Sequence, residues 1–113
     1  MSNIKKQLEE KIKQAILRVD LLEGDPIPSV RKMAMDCKIS PQTILKATLI
    51  LINDGILKKQ RGKGLFVKEG ALEVLMRREF QSFTSREIPS IIDRAKTLDI
   101  NKKELLEIIR NEY

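Results

Sequence analysis

Ile4, Leu8, Ile12, Ala15, Ile16 and Val19 recur at intervals of three and four residues, with Lys5, Lys6, Lys11 and Lys13 between them. That spacing puts one apolar stripe on a helix and predicts an amphipathic first helix over roughly residues 3–18. Gly24, Pro26 and Pro28 break the pattern, and Ile27, between two prolines, is expected to lie extended. Ser29 then reads as the N-cap of a short second helix whose buried stripe is Val30, Met33, Ala34 and Cys37. Lys38 and Ile39 turn the chain into the stretch on which the rest is organised. Ser40 is an N-cap, Pro41 takes the first helical position where its missing N–H costs nothing, and Ile39 can close on Ile44 as a hydrophobic staple. Ile44, Ala47 and Leu51 share one face, and Gly55 stops the helix.

Two short strands follow, Ile56–Lys59 and Leu65–Val67, joined through Gln60-Arg61-Gly62-Lys63-Gly64. A glycine tip between apolar flanks predicts a hairpin. Beyond it the pattern returns to helix. Leu72, Leu75, Met76, Phe80 and Phe83 form one stripe, and Ile88, Ile91, Ile92, Ala95 and Leu98 a second. Pro89 either opens the middle helix or bends a longer one. Asn101 with Glu104 is a capping box and Ile100 with Leu105 a staple, opening a last helix lined by Leu105, Leu106, Ile108 and Ile109. Three helices and then a hairpin are the order of a winged helix-turn-helix. The expected fold is therefore mostly α: a winged helix-turn-helix domain over residues 1–69, with three helices and a two-stranded wing, then a helical region over 70–113. These last 44 residues carry more apolar surface than one short chain can bury, so a second copy is expected to cover some of it. Leu72, Met76, Phe80, Phe83, Ile91, Ile92, Leu105, Ile108 and Ile109 are the candidate dimerisation residues.

Charge sharpens this picture. The 113 residues carry a formal net charge of +6. Residues 1–69 hold fourteen Lys and Arg against eight Asp and Glu, while residues 70–113 hold eight of each, so the whole excess of six lies on the winged part. Phosphate binding needs cations gathered in this way. Gln42, Thr43 and Lys46 occupy the first two turns of the third helix, off its apolar face, with side chains suited to base edges and phosphates. Arg31 lies in the first turn of the second helix, where the dipole disfavours a cation unless an outside anion answers it. From Lys58 through Lys68 the hairpin holds five cations and no acid, and Gly62 and Gly64 let its tip approach a sugar-phosphate backbone. Arg61 at that tip can enter a narrow minor groove.

Other chemistries have little to work with. The chain has no His and one Cys, Cys37, which removes the commonest metal ligand and general base, a nucleophile–His pair and an internal disulfide. No convergent carboxylate pair is evident, so no enzyme activity, metal or cofactor is expected, and Cys37 reads as a small core residue. The charged N-terminus and the absence of a long apolar run lead us to expect a cytoplasmic, nucleoid-associated protein without a membrane partner.

Gly24-Asp25, Pro28-Ser29-Val30-Arg31, Ser40-Pro41-Gln42-Thr43-Ile44, Asp54-Gly55-Ile56-Leu57 and Arg61-Gly62-Lys63-Gly64-Leu65-Phe66-Val67 occur in an order and at spacings that resemble the DNA-binding domain of the GntR family of bacterial transcription regulators. The short helical tail and the Ser-Pro-Gln-Thr start of the third helix resemble its YtrA-like subfamily. The resemblance implies a dimeric, sequence-specific regulator, with a repressor expected, on double-stranded DNA. It places Arg31 on the backbone or a nearby base, Ser40, Gln42 and Thr43 in the major groove, and Arg61 beside Gly62 in the minor groove. Lys46, Lys59 and Lys63 are then expected on phosphates. Two departures stand out. Leu45 occupies a position often held by a DNA-contacting Arg. Leu49, Ile50 and Ile52 replace polar residues and are expected to be covered by the tail or a partner. A small-molecule effector, where one exists, has the dimer interface or the junction of wing domain and tail in which to bind. The alternative reading is a winged-helix module that binds RNA or a protein.

Overall fold

The computed structural model describes residues 3–113 and divides into two compact units, one reaching Arg77 and the other spanning Arg78–Tyr113. The first unit contains α1 (Ile4–Leu17), β1 (Pro26–Ile27), α2 (Val30–Cys37), α3 (Pro41–Asn53), β2 (Leu57–Gln60), β3 (Gly64–Val67) and the start of α4 (Ala71–Ser82). Its core draws on every element: Leu8, Ile12 and Ile16 from α1, Ile27, Met33, then Ile44, Ala47 and Leu51 from α3, Leu57, Leu65 and Val67 from the sheet, and Ala71 and Leu75 from α4. Burial of Ala71 and Leu75 carries this unit past the expected boundary at residue 69. Leu72, expected on the dimerisation face, packs half-buried against the same core.

α1 ends where the expected span of roughly 3–18 places it, but Val19, counted in its apolar stripe, falls outside the helix. Asn3 caps it by accepting the Lys6 N–H at 3.1 Å, and Arg18 closes it. Val19 lies past the end, exposed, with φ +65°. The Val19 N–H donates to the Ile16 carbonyl at 3.0 Å and the Asp20 N–H to the Ala15 carbonyl at 2.8 Å, the C-terminal motif that usually places glycine in the left-handed position. Val19 takes that position instead of packing on the stripe.

The sheet has three strands where a two-stranded wing was expected. The order is β1-β3-β2 and both pairings are antiparallel. Ile27 stands opposite Leu65 and Pro26 opposite Phe66, so the extended Pro-Ile-Pro segment adds a short edge to the wing. An edge is where Pro, lacking a donor, belongs. Cys37 differs from its reading as a small core residue. It is exposed, because α2 ends there and Lys38, at φ 55°, swings the chain left-handed toward α3.

In the second unit, the end of α4 runs through a π-helical stretch, Phe83–Glu87, into α5 (Ile88–Thr97). Pro89 therefore both opens α5 and sits in a longer helical run. Pro89 cannot donate to the Ser85 carbonyl, and the turn before it widens so that the Ile88 N–H reaches back to the Phe83 carbonyl. α6 (Lys102–Glu112) starts with the expected capping box: the Asn101 side chain accepts the Glu104 N–H at 2.9 Å and the Glu104 carboxylate accepts the Asn101 N–H at 3.4 Å. Within this unit α5 and α6 line an open apolar groove of about 740 Å³, with Ile92, Ala95, Leu105 and Ile109 among its walls.

Candidate nucleic-acid interface

The helix-turn-helix is built by two capped helices. Ser29 Oγ accepts the Lys32 N–H at 3.1 Å and starts α2, with Arg31 exposed in its first turn. The left-handed Lys38 and the Ile39 N–H bond to the Ala34 carbonyl, at 3.2 Å, set the turn between the helices. Ser40 starts α3 by accepting the Thr43 N–H at 3.3 Å. α3 packs on α1, α2 and β2 through Ile44, Ala47, Thr48 and Leu51, all of them at most 1% exposed. At its other end the Gly55 N–H bonds the Ile52 carbonyl and the Ile56 N–H the Leu51 carbonyl, with Gly55 at φ +80°, which turns the chain straight into β2. The helix is fixed at both ends and along its buried face. Gln42, Leu45 and Lys46 stand on its exposed side within the first two turns.

The polar residues at the start of α3 are not equivalent. The Ser40 and Thr43 hydroxyls lie 2.8 Å apart in a hydrogen bond, and Ser40 Oγ also holds the cap. Thr43 is half-buried. Both hydroxyls thus serve the helix start, whereas the Gln42 amide projects from it.

The wing separates its cations by sheet register. Lys59 stands opposite Leu65 and Lys58 opposite Phe66, so the two lysines occupy opposite faces, Lys59 on the face that also carries Leu57 and Val67. At the tip the Lys63 N–H closes a turn on the Gln60 carbonyl at 2.9 Å, and Gly62 takes φ +77° at the third turn position, where a side chain would be strained. Arg61 and Lys63 flank Gly62, all three exposed. Lys58 behaves differently. Its ammonium donates to the Glu69 carboxylate at 2.6 Å, and that bond holds the Glu69 carboxyl below its ordinary value. Five wing cations were legible in sequence, but the partner of Lys58 lies eleven residues away and was not.

Sequence reasoning also missed Glu23. Its carboxylate accepts the Gly70 N–H at 2.9 Å at the start of α4, tying the turn after α1 to the exit from the wing. The Gly24 N–H to Val67 carbonyl and Val67 N–H to Asp25 carbonyl bonds hold the same junction. The Gly-Asp signal of this turn was visible, although its distant partner was not.

The candidate dimerisation residues divide. In the second unit Phe83, Ile91, Ile92, Ile108 and Ile109 are between 39% and 54% exposed, Phe80 is 67% exposed and Leu105 is half-buried. Met76, in the first unit, is also exposed. On α3 Leu49 is exposed, whereas Ile52 packs against the core. Among the described residues no group of three His, Cys, Asp or Glu side chains is placed to hold a metal ion, and no helix is long and apolar enough to cross a membrane.

Comparison with known proteins agrees with this geometry. The model of the family "Bacterial regulatory proteins, gntR family" matches residues 4–67, from the first turn of α1 to the last residue of the wing. The HTH-type transcriptional regulator YhcF of Bacillus subtilis is 34% identical over 105 residues, covering 92% of this chain and 84% of that protein. The HTH-type transcriptional repressor YtrA of the same organism is 33% identical over 73 residues, and the match spans 65% of this chain but little more than half, 56%, of YtrA. The crystal structure of a transcriptional regulator from Oenococcus oeni has the same fold, with a TM-score of 0.87 over 98% of this chain and 91% of that one, at 22% identity.

Proposed function

The chain belongs to the gntR family of bacterial regulatory proteins, and on that premise we propose that it is a homodimeric repressor that binds a near-palindromic DNA operator. It is a DNA-binding transcriptional regulator of the helix-turn-helix type. The observation that carries the finer reading is the presentation of two exposed, cation-bearing elements from one core: α3, rigidly capped at Ser40, and the wing tip on the strand against which α3 packs.

In this reading α3 enters the major groove. Gln42 hydrogen-bonds a base edge, and a bidentate contact of that kind discriminates by about 1–3 kcal/mol. Ser40 and Thr43 shape the helix start and hold it against the groove wall. Lys46, Lys59 and Lys63 engage phosphates, and Arg31 reaches one from the first turn of α2. Arg61, set beside Gly62, enters the minor groove. The half-exposed apolar side chains of the second unit favour a paired state, since apolar surface on this scale is removed from water by association. A two-fold pair sets two recognition helices on half-sites one helical turn, or a multiple of it, apart. Repression fits the relative named as a repressor.

The test is stoichiometry. Sedimentation equilibrium should give two protomers alone and two per duplex for the wild type, and a monomer with much weaker operator binding for Ile91→Glu combined with Ile109→Glu. A wild-type monomer that binds one per duplex would overturn the dimeric reading.

A further inference from the structure

The exposed side of α3 carries two apolar residues that polar readout does not use, Leu45 and Leu49, and of these Leu45 lies nearer the helix start that Gln42 occupies. Leu45 lies in the second turn, three residues beyond Gln42 and directly before Lys46, and it is 48% exposed. Residues three apart adjoin on a helix surface, so Leu45 and Gln42 are neighbours on the exposed side of α3. Leu45 lies off the buried face formed by Ile44, Ala47, Thr48 and Leu51, and it is not among the residues packed in the core. The helix beneath it is fixed, with the Thr48 hydroxyl donating to the Leu45 carbonyl at 2.9 Å.

Resting on the DNA-binding reading above, we propose that Leu45 is a specificity-determining residue that packs on the 5-methyl group of a thymine in the base pair beside the one read by Gln42. The thymine methyl is the one alkyl group that the major-groove edge presents, and it stands beside hydrogen-bonding atoms of the bases. Leu45 has no polar atom with which to answer a guanine O6 or a cytosine amine. Covering either one removes its water without replacement, so G·C is disfavoured at that pair. On thymine the same contact removes apolar surface from water on both sides. Leu45 therefore selects by attraction to the methyl and by exclusion of polar edges.

The experiment starts from a randomised duplex pool, from which the protein enriches its own site. Each thymine of the enriched duplex is then replaced singly by deoxyuridine, which lacks only the methyl, and binding is read by fluorescence anisotropy for wild type and Leu45→Ala. Alanine preserves the helix and removes no core atom. One position per half-site should show a loss of roughly fourfold for the wild type, the affinity equivalent of one methyl-sized apolar contact. The same replacement should leave Leu45→Ala unchanged. If no thymine distinguishes the two proteins, the assignment is overturned while DNA binding stands. A changed oligomeric state for Leu45→Ala would also overturn it, by placing Leu45 in a protein contact. A pool that yields no enriched sequence would overturn the DNA-binding reading itself. The deoxyuridine series on the wild type needs no variant, so the folding of Leu45→Ala does not decide the outcome.

Discussion

The wing offers a test in which two substitutions alike in charge should behave differently, and a third, of opposite charge change, shows why. Lys58 and Lys63 are both wing lysines, but Lys63 lies exposed beside Gly62 at the tip while the Lys58 ammonium is held by Glu69 at 2.6 Å. Each phosphate neutralised on duplex DNA contributes about −0.9 to the slope of log binding constant against log salt concentration. In a two-fold complex a residue acts twice, so Lys63→Ala should flatten that slope by about 1.8. Lys58→Ala should leave it nearly unchanged, because the bond it removes is within the protein. Glu69→Gln should act in the opposite sense. It releases the Lys58 ammonium from its carboxylate, and if that ammonium reaches the backbone the slope steepens by as much as about 1.8. Anisotropy titrations of the four proteins on one duplex over a salt series read all three effects. Equal flattening by Lys58→Ala and Lys63→Ala would show Lys58 on a phosphate, and would refute the argument that the Glu69 pair withholds it.

Other predictions concern specificity and stability. Gln42→Ala should relax selectivity at one base pair per half-site by about 1–3 kcal/mol, while Lys63→Ala weakens all sequences alike; identical profiles over a mismatch series would contradict this division. Val19→Gly should stabilise the fold by about 1 kcal/mol in urea unfolding, because a left-handed conformation costs a non-glycine residue about 1–2 kcal/mol and glycine's looser unfolded chain returns part of it. A loss of stability there would show that Val19 packs usefully where it stands. Leu51→Ala, at a fully buried position of α3, should cost about 2–5 kcal/mol and lower DNA binding only through folding. The pH dependence follows from Glu69, whose carboxyl the hydrogen bond from the Lys58 ammonium holds below its ordinary value in the folded protein. Its contribution to stability is present at neutral pH and is lost as pH falls through that lowered value, so wild type and Glu69→Gln should converge in thermal stability in acid.

What was legible in the sequence is what local chemistry decides. Ser29, Ser40 and the Asn101–Glu104 box each bond a backbone N–H within three residues, so residue type and spacing sufficed to place the helix starts. Gly55 and Gly62 mark positive φ for the same reason. The readings that changed depend on contacts distant in sequence or on where a stripe ends. Pro26 and Ile27 become a strand only by meeting Phe66 and Leu65. Cys37 continues the α2 stripe in spacing but falls where the helix turns away, and Val19 does the same at the end of α1. At the site, the exposed Gln42, Lys46, Arg61 and Lys63 follow from helical phase and from the glycine turn. The Ser40–Thr43 hydroxyl bond and the Lys58–Glu69 pair depend on rotamers and register, which spacing does not encode.

If α3 and the wing read a DNA sequence, the protein must distinguish its own site from other duplexes. The direct measurement is anisotropy with a duplex enriched by the protein itself against a scrambled duplex of equal length and composition, at several salt concentrations. A gap of roughly a thousandfold or more is expected at physiological salt, persisting as the absolute affinities fall with added salt. Equal and weak binding to both duplexes would contradict it, and would leave the basic face as a sequence-blind surface for RNA or another acidic partner.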